Sequence, residues 1–154
     1  MELSEVVRNS ELIAEGTVQK VEARWDANQR LIYTYIDIRT AEKFKGAASS
    51  VVTVKLPGGT VGGITLDVAG MPQFQVGEHA IVFLSAYPDR KNYNVVGLNQ
   101  GLYAITEDVA VSNISGVELL DPKTGQSTRP LFVQSVPVEE FRKIVRQLVK
   151  DEKR

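Results

Sequence analysis

The strongest constraint on the fold is the alternation of side chains in LIYTYIDIRT, residues 31–40. Successive side chains of a β-strand point to opposite faces, so a period of two predicts a strand with one buried face. The positions predicted to face inward are Ile32, Thr34, Ile36, Ile38 and Thr40. The positions predicted to face outward are Tyr33, Tyr35, Asp37 and Arg39. An alternation of this clarity predicts a mainly β fold.

The preceding segment, residues 14–25, also alternates, but its phase changes once. The alternating residues are Ala14, Gly16 and Val18 before the change, and Val21, Ala23 and Trp25 after it. A single change of phase is typical of a long strand with a bulge, which we place near Gln19 and Lys20. The turn sequence DANQR, residues 26–30, then joins the two strands as a hairpin.

Three further strands follow at residues 50–56, 77–87 and 93–106. The second of them, GEHAIVFLSAY, is apolar on both faces, which predicts a central strand. DRKN, residues 89–92, is a turn, and Gly97 and Gly101 fit a bend or bulge in the last strand region. Residues 107–135 form either a further strand pair or a flap, with DPKTGQ, residues 121–126, as a hairpin-like turn.

Two helices flank the strands. A short one is predicted over Leu3–Leu12, with Ser4 as its cap, and a longer one begins at Pro137. The longer helix carries an apolar stripe of Val138, Phe141, Ile144, Val145, Leu148 and Val149. We expect this stripe to close the barrel, with docking on a partner as the alternative. Residues 1–154 are thus predicted to form one domain, a five-stranded OB-like barrel, with a sandwich as the rival architecture.

A glycine-rich stretch, LPGGTVGGITLDVAGMPQF, spans residues 56–74 and holds five of the twelve glycines. A phosphate-binding loop would lead into a helix, but here the alternating segment ITLDVAG follows. We therefore expect the stretch to turn corners at Pro57-Gly58-Gly59 and at Gly62-Gly63. Ile64, Leu66 and Val68 are predicted to face inward on a hairpin arm, and Pro72 and Phe74 to plug the barrel edge.

The amino-acid composition excludes several kinds of functional site. The net charge is -1, so no overall field attracts nucleic acid or anionic lipid. With no cysteine, disulfides, zinc-thiolate sites and thiol nucleophiles are excluded. No apolar run is long enough to span a membrane, and no signal peptide is visible. We expect an exported protein, periplasmic or extracellular, if a leader has been removed, and a cytoplasmic one otherwise.

The outward row of the second strand is the most informative candidate site. The side chains of Tyr33, Tyr35, Asp37 and Arg39 stand at two-residue spacing, and Thr53 and Lys55 of the third strand are predicted neighbours. On OB barrels this face binds oligonucleotides or oligosaccharides. The alternative is that these tyrosines only cover the sheet. The remaining candidates for binding are Trp25 and a rim formed by Gly58, Gly59, Gly62 and Gly63.

Catalytic chemistry has little support. His79 is the only histidine, and it has no evident nucleophile beside it. Metal binding by His79 with Glu78 or Asp67 conflicts with the opposite directions of adjacent strand side chains. The carboxylates Glu22, Asp26 and Asp37 look like solvated charges of the first hairpin. We therefore expect no catalytic residue, metal ligand or cofactor.

Five ordered segments resemble a family of uncharacterised bacterial proteins that are mostly predicted to be exported. They are SELIAEGTVQKVEARWD, IYTYIDIRTAEKFKG, VTVKLPGGTVGG, PQFQVGEHAIVFL and YNVVGLNQGLYAI, and the resemblance covers residues 3–148. The helix followed by ELIAEGTV is also similar to the OB barrels of netrin-like domains and tissue inhibitors of metalloproteinases. Those inhibitors reach zinc through an N-terminal cysteine, which this chain lacks. The resemblance assigns no site residues.

These observations predict a non-enzymatic binding module of the bacterial envelope or exterior, with a protein or saccharide partner and no membrane insertion. One alternative is a domain that binds single-stranded nucleic acid on the same face, which the charge balance disfavours. A second alternative is a hydrolase that uses His79. The sequence does not specify the ligand or the oligomeric state.

Overall fold

The computed structural model describes residues 2–47, 49–112, 119–120, 127–128 and 135–152. The fold is mainly β, with helix α1 at Leu3–Asn9 and helix α2 at Val138–Glu152. The strands of the barrel wall are β1 (Leu12–Trp25), β2 (Ile32–Lys45), β3 (Val51–Pro57), β6 (His79–Ala86) and β7 (Asn92–Val95). The other strands are β4 (Gly59–Val61), β5 (Ile64–Leu66), β8 (Leu102–Thr106), β9 (Val109–Ser112), β10 (Leu119–Leu120), β11 (Ser127–Thr128) and β12 (Ser135–Pro137).

Five strands close into a ring. β1 pairs with β2 and β2 with β3, both antiparallel, and β3 then pairs in parallel with β7. The ring closes because β6 pairs with β7 along one edge and with β1 along the other. The predicted five-stranded, barrel-like fold with a short N-terminal and a longer C-terminal helix is confirmed, and the sandwich alternative is not what forms.

The long first strand is bulged as predicted. Its pairing register with β2 shifts between Val18 and Lys20, which makes Gln19 the extra residue. Two further irregularities, at Ile13/Ala14 and Glu15/Gly16, were not predicted from the alternation. Gly16 packs so closely on β2 that a Cβ there would lie 2.3 Å from the carbonyl oxygen of Arg39. At these two shifts the extra residue lies on β2, at Phe44 and Ala41, so the irregularities bend the β1–β2 pair and add to the curvature of the wall.

Two hydrophobic clusters occupy opposite sides of the barrel wall. The interior cluster contains Leu12, Val18, Ile36, Ile38, Val52, Val54, Leu56, Ala80, Val82, Leu84, Val95 and Leu102. The outer cluster lies between the wall and the two helices and contains Val6, Val7, Ile13, Ile81, Phe83, Val96, Ala110, Phe141, Val145 and Val149. Alternate residues of β6 enter the two clusters, which confirms that this strand is central and apolar on both faces.

The sheet continues beyond the ring. β8 pairs with β6 next to β7, after a bend and a short 3-10 turn at Leu98–Gly101, as the two glycines of this region suggested. β9 then pairs with β8, and β12 pairs with β9. β10 and β11 pair antiparallel with each other, while the expected turn at residues 121–126 lies outside the described residues. The described residues within 107–135 therefore include paired strands, which favours the strand-pair alternative over the flap.

Several helix expectations are wrong in detail. α1 ends at Asn9, and Leu12 begins β1 instead of closing the helix. Glu2 occupies the N-cap position without a side-chain hydrogen bond, so Ser4 does not cap. Pro137 ends β12, where it pairs with Val109, and α2 begins one residue later. Neither α1 nor α2 has the length and apolar character of a membrane-spanning helix, and the other described residues contain no such helix.

The glycine-rich stretch forms an arm across one end of the barrel. β4 and β5 make a small hairpin whose turn is Gly62-Gly63, with φ values of 56° and 79° that favour glycine. Pro72 is buried and Phe74 packs against the interior cluster, as expected. Ile64 is 56 % exposed, so its predicted inward position is wrong: the two-stranded arm leaves this side chain without a surface to pack on.

Candidate ligand-binding face

Three tyrosine rings surround one lysine on the outside of the barrel. Tyr35 of β2 pairs directly with Lys55 of β3, and Tyr33 lies two residues before Tyr35 on the same face. The Nζ atom of Lys55 lies 4.4 Å from the ring centroid of Tyr33, 5.9 Å from that of Tyr35 and 5.3 Å from that of Tyr87. Arg24 stacks on Tyr35 at 3.9 Å. We call these five residues the tyrosine face.

Sequence reasoning missed two members of this face, Tyr87 and Arg24. Tyr87 follows β6 in the loop to β7, and its hydroxyl donates a hydrogen bond to the backbone oxygen of Lys55 at 2.8 Å. Burial, followed by the charges of Tyr33, Tyr35 and Asp89, raises the pKa of Tyr87. The phenol thus stays protonated at neutral pH and can donate. The loop sequence YPDRKN carries the turn signal, but the strand order that brings it beside β3 is not readable from the sequence.

The polar residues around the tyrosine face are paired with one another. Thr53 donates to Asp37 at 2.8 Å, which joins β3 to β2. Glu22 pairs with Lys20 at 3.0 Å and with Arg24 at 3.5 Å. The hydrogen bond and charge of Lys20 lower the pKa of Glu22. Arg39 lies exposed farther along the β2 row. The surface therefore mixes both signs of charge.

The three carboxylates singled out on the first hairpin have separate structural partners. Glu22 belongs to the ion pairs above, and Asp37 accepts from Thr53. Asp26 instead accepts from the backbone N–H of Arg30 at 2.8 Å and so closes the β1–β2 turn. Each of the three carboxylates therefore has a structural partner of its own.

Trp25 lies on the opposite side of the wall from the tyrosine face. It pairs with Ile32, which is an interior residue, whereas its neighbour Arg24 pairs with Tyr33. Successive strand residues point to opposite faces, so the half-buried Trp25 shares the direction of Ile32. Trp25 thus stands apart from the tyrosines with which the sequence grouped it.

The four candidate glycines of the rim divide into two pairs. Gly58 and Gly59 line a cavity at the barrel end, and a Cβ at Gly59 would lie 2.7 Å from the hydroxyl of Thr34. Gly62 and Gly63 form the tip of the hairpin, where a Cβ would meet no atom within 4 Å. The first pair permits close approach to the wall, and the second pair serves the turn.

His79 belongs to a polar cluster beneath α2. Its Nε2 lies 2.9 Å from Oε2 of Glu15, whose side chain is only 6 % exposed. Arg142 of α2 binds the same carboxylate through Nε to Oε1 and Nη2 to Oε2, both at 2.7 Å, and also contacts Glu139. Burial alone would raise the pKa of Glu15, but the hydrogen bonds and charge of Arg142, and then those of His79, hold it below its ordinary value.

The residues next to His79 do not build a metal centre. Glu78 accepts a hydrogen bond from the backbone N–H of Gln75, and burial raises the pKa of its carboxyl. Asp67 lies on the glycine-rich arm and lines the cavity at the barrel end. Within the part of the chain that the structure describes, no three histidine or acidic side chains converge as metal ligands.

Comparison with models of protein families and with curated proteins finds no match for this chain.

Proposed function

We propose that this chain is a non-enzymatic binding module that recognises a saccharide or a protein partner through the tyrosine face. The observation that supports this is the arrangement of three tyrosine rings around the ammonium group of Lys55. Aromatic rings present large apolar areas with a polar tip at low entropic cost, which suits them to recognition. Lys55 and Arg24 hold those rings in place before a ligand arrives.

The barrel itself supports the same proposal. Numbered within the ring, its strands run in the order first, second, third, fifth, fourth, which we interpret as an OB-like barrel. OB barrels bind oligosaccharides and oligonucleotides on the face of the second and third strands and on the neighbouring loops. Here Tyr33, Tyr35 and Lys55 lie on that face, and Tyr87 comes from the loop between the fourth and fifth strands. The resemblance to exported bacterial proteins favours the envelope or the exterior as the compartment.

The charges of the surface favour an uncharged or mixed-charge ligand over a polyanion. Glu22 pairs with Lys20 and Arg24, so part of the positive charge is already neutralised. Asp37 adds a further carboxylate in the same row. A saccharide satisfies this surface well, because its apolar ring face stacks on tyrosine while its hydroxyls reach the flanking polar groups.

The test is calorimetric titration with three soluble oligosaccharides, namely chitohexaose, cellohexaose and maltohexaose. We expect at least one to bind, and Tyr33→Ala, Tyr35→Ala and Lys55→Ala each to weaken binding by about fivefold, as loss of a stacking contact of ~1 kcal/mol implies. Lys143→Ala is the matched control for Lys55→Ala, because Lys143 is exposed on α2 and outside this face. It should leave the affinity unchanged.

Binding of a protein partner is tested with a crosslinking probe on the same face. A photo-crosslinking residue placed at Tyr33 is expected to capture one partner in whole cells, and Lys55→Ala in that background to reduce the yield. The proposal is wrong if no oligosaccharide binds and no crosslink forms. It is also wrong if oligosaccharide binding and crosslinking are unchanged in the variants of the tyrosine face.

Single-stranded nucleic acid is an alternative ligand for this face, since tyrosine rings flanked by Lys55 and Arg24 also suit stacked bases. Such binding would weaken steeply with salt because phosphate contacts release counterions. Titration with mixed oligonucleotides at low and moderate salt separates the cases: a flat response at low salt removes this alternative.

One observation favours the hydrolase alternative. The hydrogen bond from His79 to Glu15 is of the kind that orients a catalytic imidazole. The same carboxylate is, however, held by two hydrogen bonds from Arg142, which suits a structural role equally. The test is hydrolysis of activated esters by the native chain, His79→Gln and Lys55→Ala. Activity that is lost in His79→Gln and retained in Lys55→Ala would support the hydrolase, and equal background rates in all three proteins would exclude it.

A further inference from the structure

A cavity of about 380 Å³ opens at the end of the barrel that the glycine-rich arm crosses. One wall consists of barrel residues from β1, β2 and β3, among them Val21, Ile36 and Leu56. The opposite wall is the arm itself, residues 57–60, 66–68 and 71–74. Ligand pockets in proteins have volumes of roughly 300 to 1,000 Å³, so this cavity is large enough for a small molecule.

The barrel side of the cavity is apolar. Ile36 and Leu56 belong to the interior cluster, and Met71 and Phe74 of the arm pack against that cluster. Val21 is 38 % exposed although Val18, earlier on the same strand, is buried in the interior. The core thus leaves part of the Val21 side chain uncovered. Binding of an apolar group against that surface removes it from water, which is favourable.

Four polar side chains line the cavity, those of Thr34, Thr60, Asp67 and Gln73, and the first two have hydrogen-bond partners. Thr34 donates a hydrogen bond to the carbonyl oxygen of Gly58 at 2.7 Å. Thr60 shares a hydrogen bond with Thr65 across the arm hairpin at 2.9 Å. Asp67 is exposed at the solvent side and, among the described residues that line the cavity, is the only one with a charged side chain. The cavity therefore combines apolar side chains with polar groups, its exposed lining is more polar than apolar, and it carries a single carboxylate.

We propose that this cavity binds a small molecule that joins an apolar chain to a cationic amine, with the apolar part against the partly exposed Val21, Met71 and Phe74 and the ammonium group beside Asp67. An aliphatic amine is positively charged at neutral pH, as lysine is. Its charge complements the only charge of the lining, whereas a carboxylate ligand would be repelled. This site is separate from the tyrosine face, so either proposal can fail without the other.

The probes are n-butylamine, n-hexylamine, n-octylamine, 1-octanol and octanoate, titrated below their aggregation concentrations and followed by NMR amide shifts. Affinity should rise about fourfold for each added methylene, which corresponds to ~0.8 kcal/mol per buried CH₂. Octylamine should bind more tightly than octanol, and octanoate most weakly. The shift changes should centre on residues 57–60, 66–68 and 71–74.

Two variants in the cavity and one control variant outside it make the assignment specific. Asp67→Asn should weaken octylamine binding about three- to fivefold, as expected for an exposed ion pair, and leave octanol unchanged. Asp151→Asn on α2 makes the same change outside the cavity and should alter neither. Val68→Trp fills the cavity from the arm and should abolish binding of both probes, while an unchanged spectrum of β1 and β2 shows that the barrel remains folded.

The proposal is overturned if octylamine does not bind, if octanoate binds as tightly as octylamine, or if the shifts fall away from the arm. It is also overturned if Asp67→Asn and Asp151→Asn have equal effects. Lys55→Ala should leave octylamine binding unchanged, which keeps this result independent of the tyrosine face.

Discussion

At the scale of single residues, the Glu15 carboxylate is the most constrained group of the described chain. Its side chain is 6 % exposed, and Arg142 reaches it with two hydrogen bonds from a helix 127 residues away in sequence. A buried charge is tolerated when it is paired, and removal of its partner leaves the desolvation cost without compensation. The Glu15–Arg142 pair thus links the docking of α2 to the pairing of a buried charge, beside the apolar contacts of the outer cluster.

We predict that Arg142→Ala lowers the free energy of unfolding by about 3 kcal/mol, because the buried Glu15 carboxylate loses both hydrogen bonds and the charge of Arg142 and keeps the contact with His79. Arg146→Ala is the matched control, one turn further along α2. Arg146 pairs with Glu42, but both side chains are more than 40 % exposed, so its loss should cost about 1 kcal/mol or less. Urea denaturation measures both, and equal costs would contradict the special role of Glu15.

The same carboxylate gives a pH dependence. The pKa of Glu15 is lower in the folded protein than its ordinary value of 4.5. The folded state therefore binds fewer protons than the unfolded chain, and the stability due to this carboxylate is present above pH 4.5 and lost as pH falls through the folded pKa. Glu15→Gln should be less stable than the native chain by about 2 kcal/mol at pH 7, the usual worth of charged hydrogen bonds.

The difference in unfolding free energy between the native chain and Glu15→Gln should shrink below pH 4.5, because Glu15 itself then becomes neutral. The raised pKa of Glu78 acts with the opposite sign, since its contribution is lost as pH rises, but Glu78 is present in both proteins and its effect cancels. A difference in unfolding free energy that stays constant from pH 7 to pH 3 would contradict the prediction.

At the scale of elements, local pattern was sufficient where a contact lies across one strand pair. The alternation of β2 and β3 fixed which side chains share a face, so Tyr33, Tyr35 and Lys55 were placed together correctly. The phase change in β1 likewise located the bulge at Gln19. These features depend on a period of two and on neighbouring strands, both of which are local in sequence.

Contacts that depend on ring closure were not predictable from one sequence. Tyr87 contacts Lys55 because β7 lies in parallel beside β3, and Glu15 meets Arg142 because α2 packs on the outside of β1. The need for glycine at position 16 has another cause: the limiting contact is the carbonyl oxygen of Arg39 on the neighbouring strand, beside an irregularity in the β1–β2 register that the alternation does not reveal. Ile144 shows the same limit: the helical stripe included it, but it lies at the margin of the docked face and is 39 % exposed.

At the scale of the whole molecule, the two hydrophobic clusters share the same strands. Leu12, Val82 and Leu84 point into the barrel, while Ile13, Ile81 and Phe83 point toward the helices. The rings of Phe83 and Tyr103 meet Phe141 of α2 at centroid distances of 6.4 Å and 4.4 Å. Neither cluster can be lost while the other keeps its strands in place, because β1 and β6 are the wall between them.

We predict that the barrel and α2 unfold in one transition. Trp25, the only tryptophan, reports on the end of the barrel by fluorescence, and the far-ultraviolet circular dichroism signal reports largely on the helices. Phe141→Ala removes the helix contact of the outer cluster, and Val54→Ala creates a void in the interior one; both residues are buried, and each change should cost about 2 to 4 kcal/mol. In urea, both variants should shift the fluorescence and dichroism midpoints together, as a two-state transition requires.

Ile144→Ala on the exposed margin of α2 is the control and should shift neither midpoint by much. If Phe141→Ala moved the dichroism transition alone and left the Trp25 transition in place, α2 would be an independently melting layer and the shared-wall argument would fail.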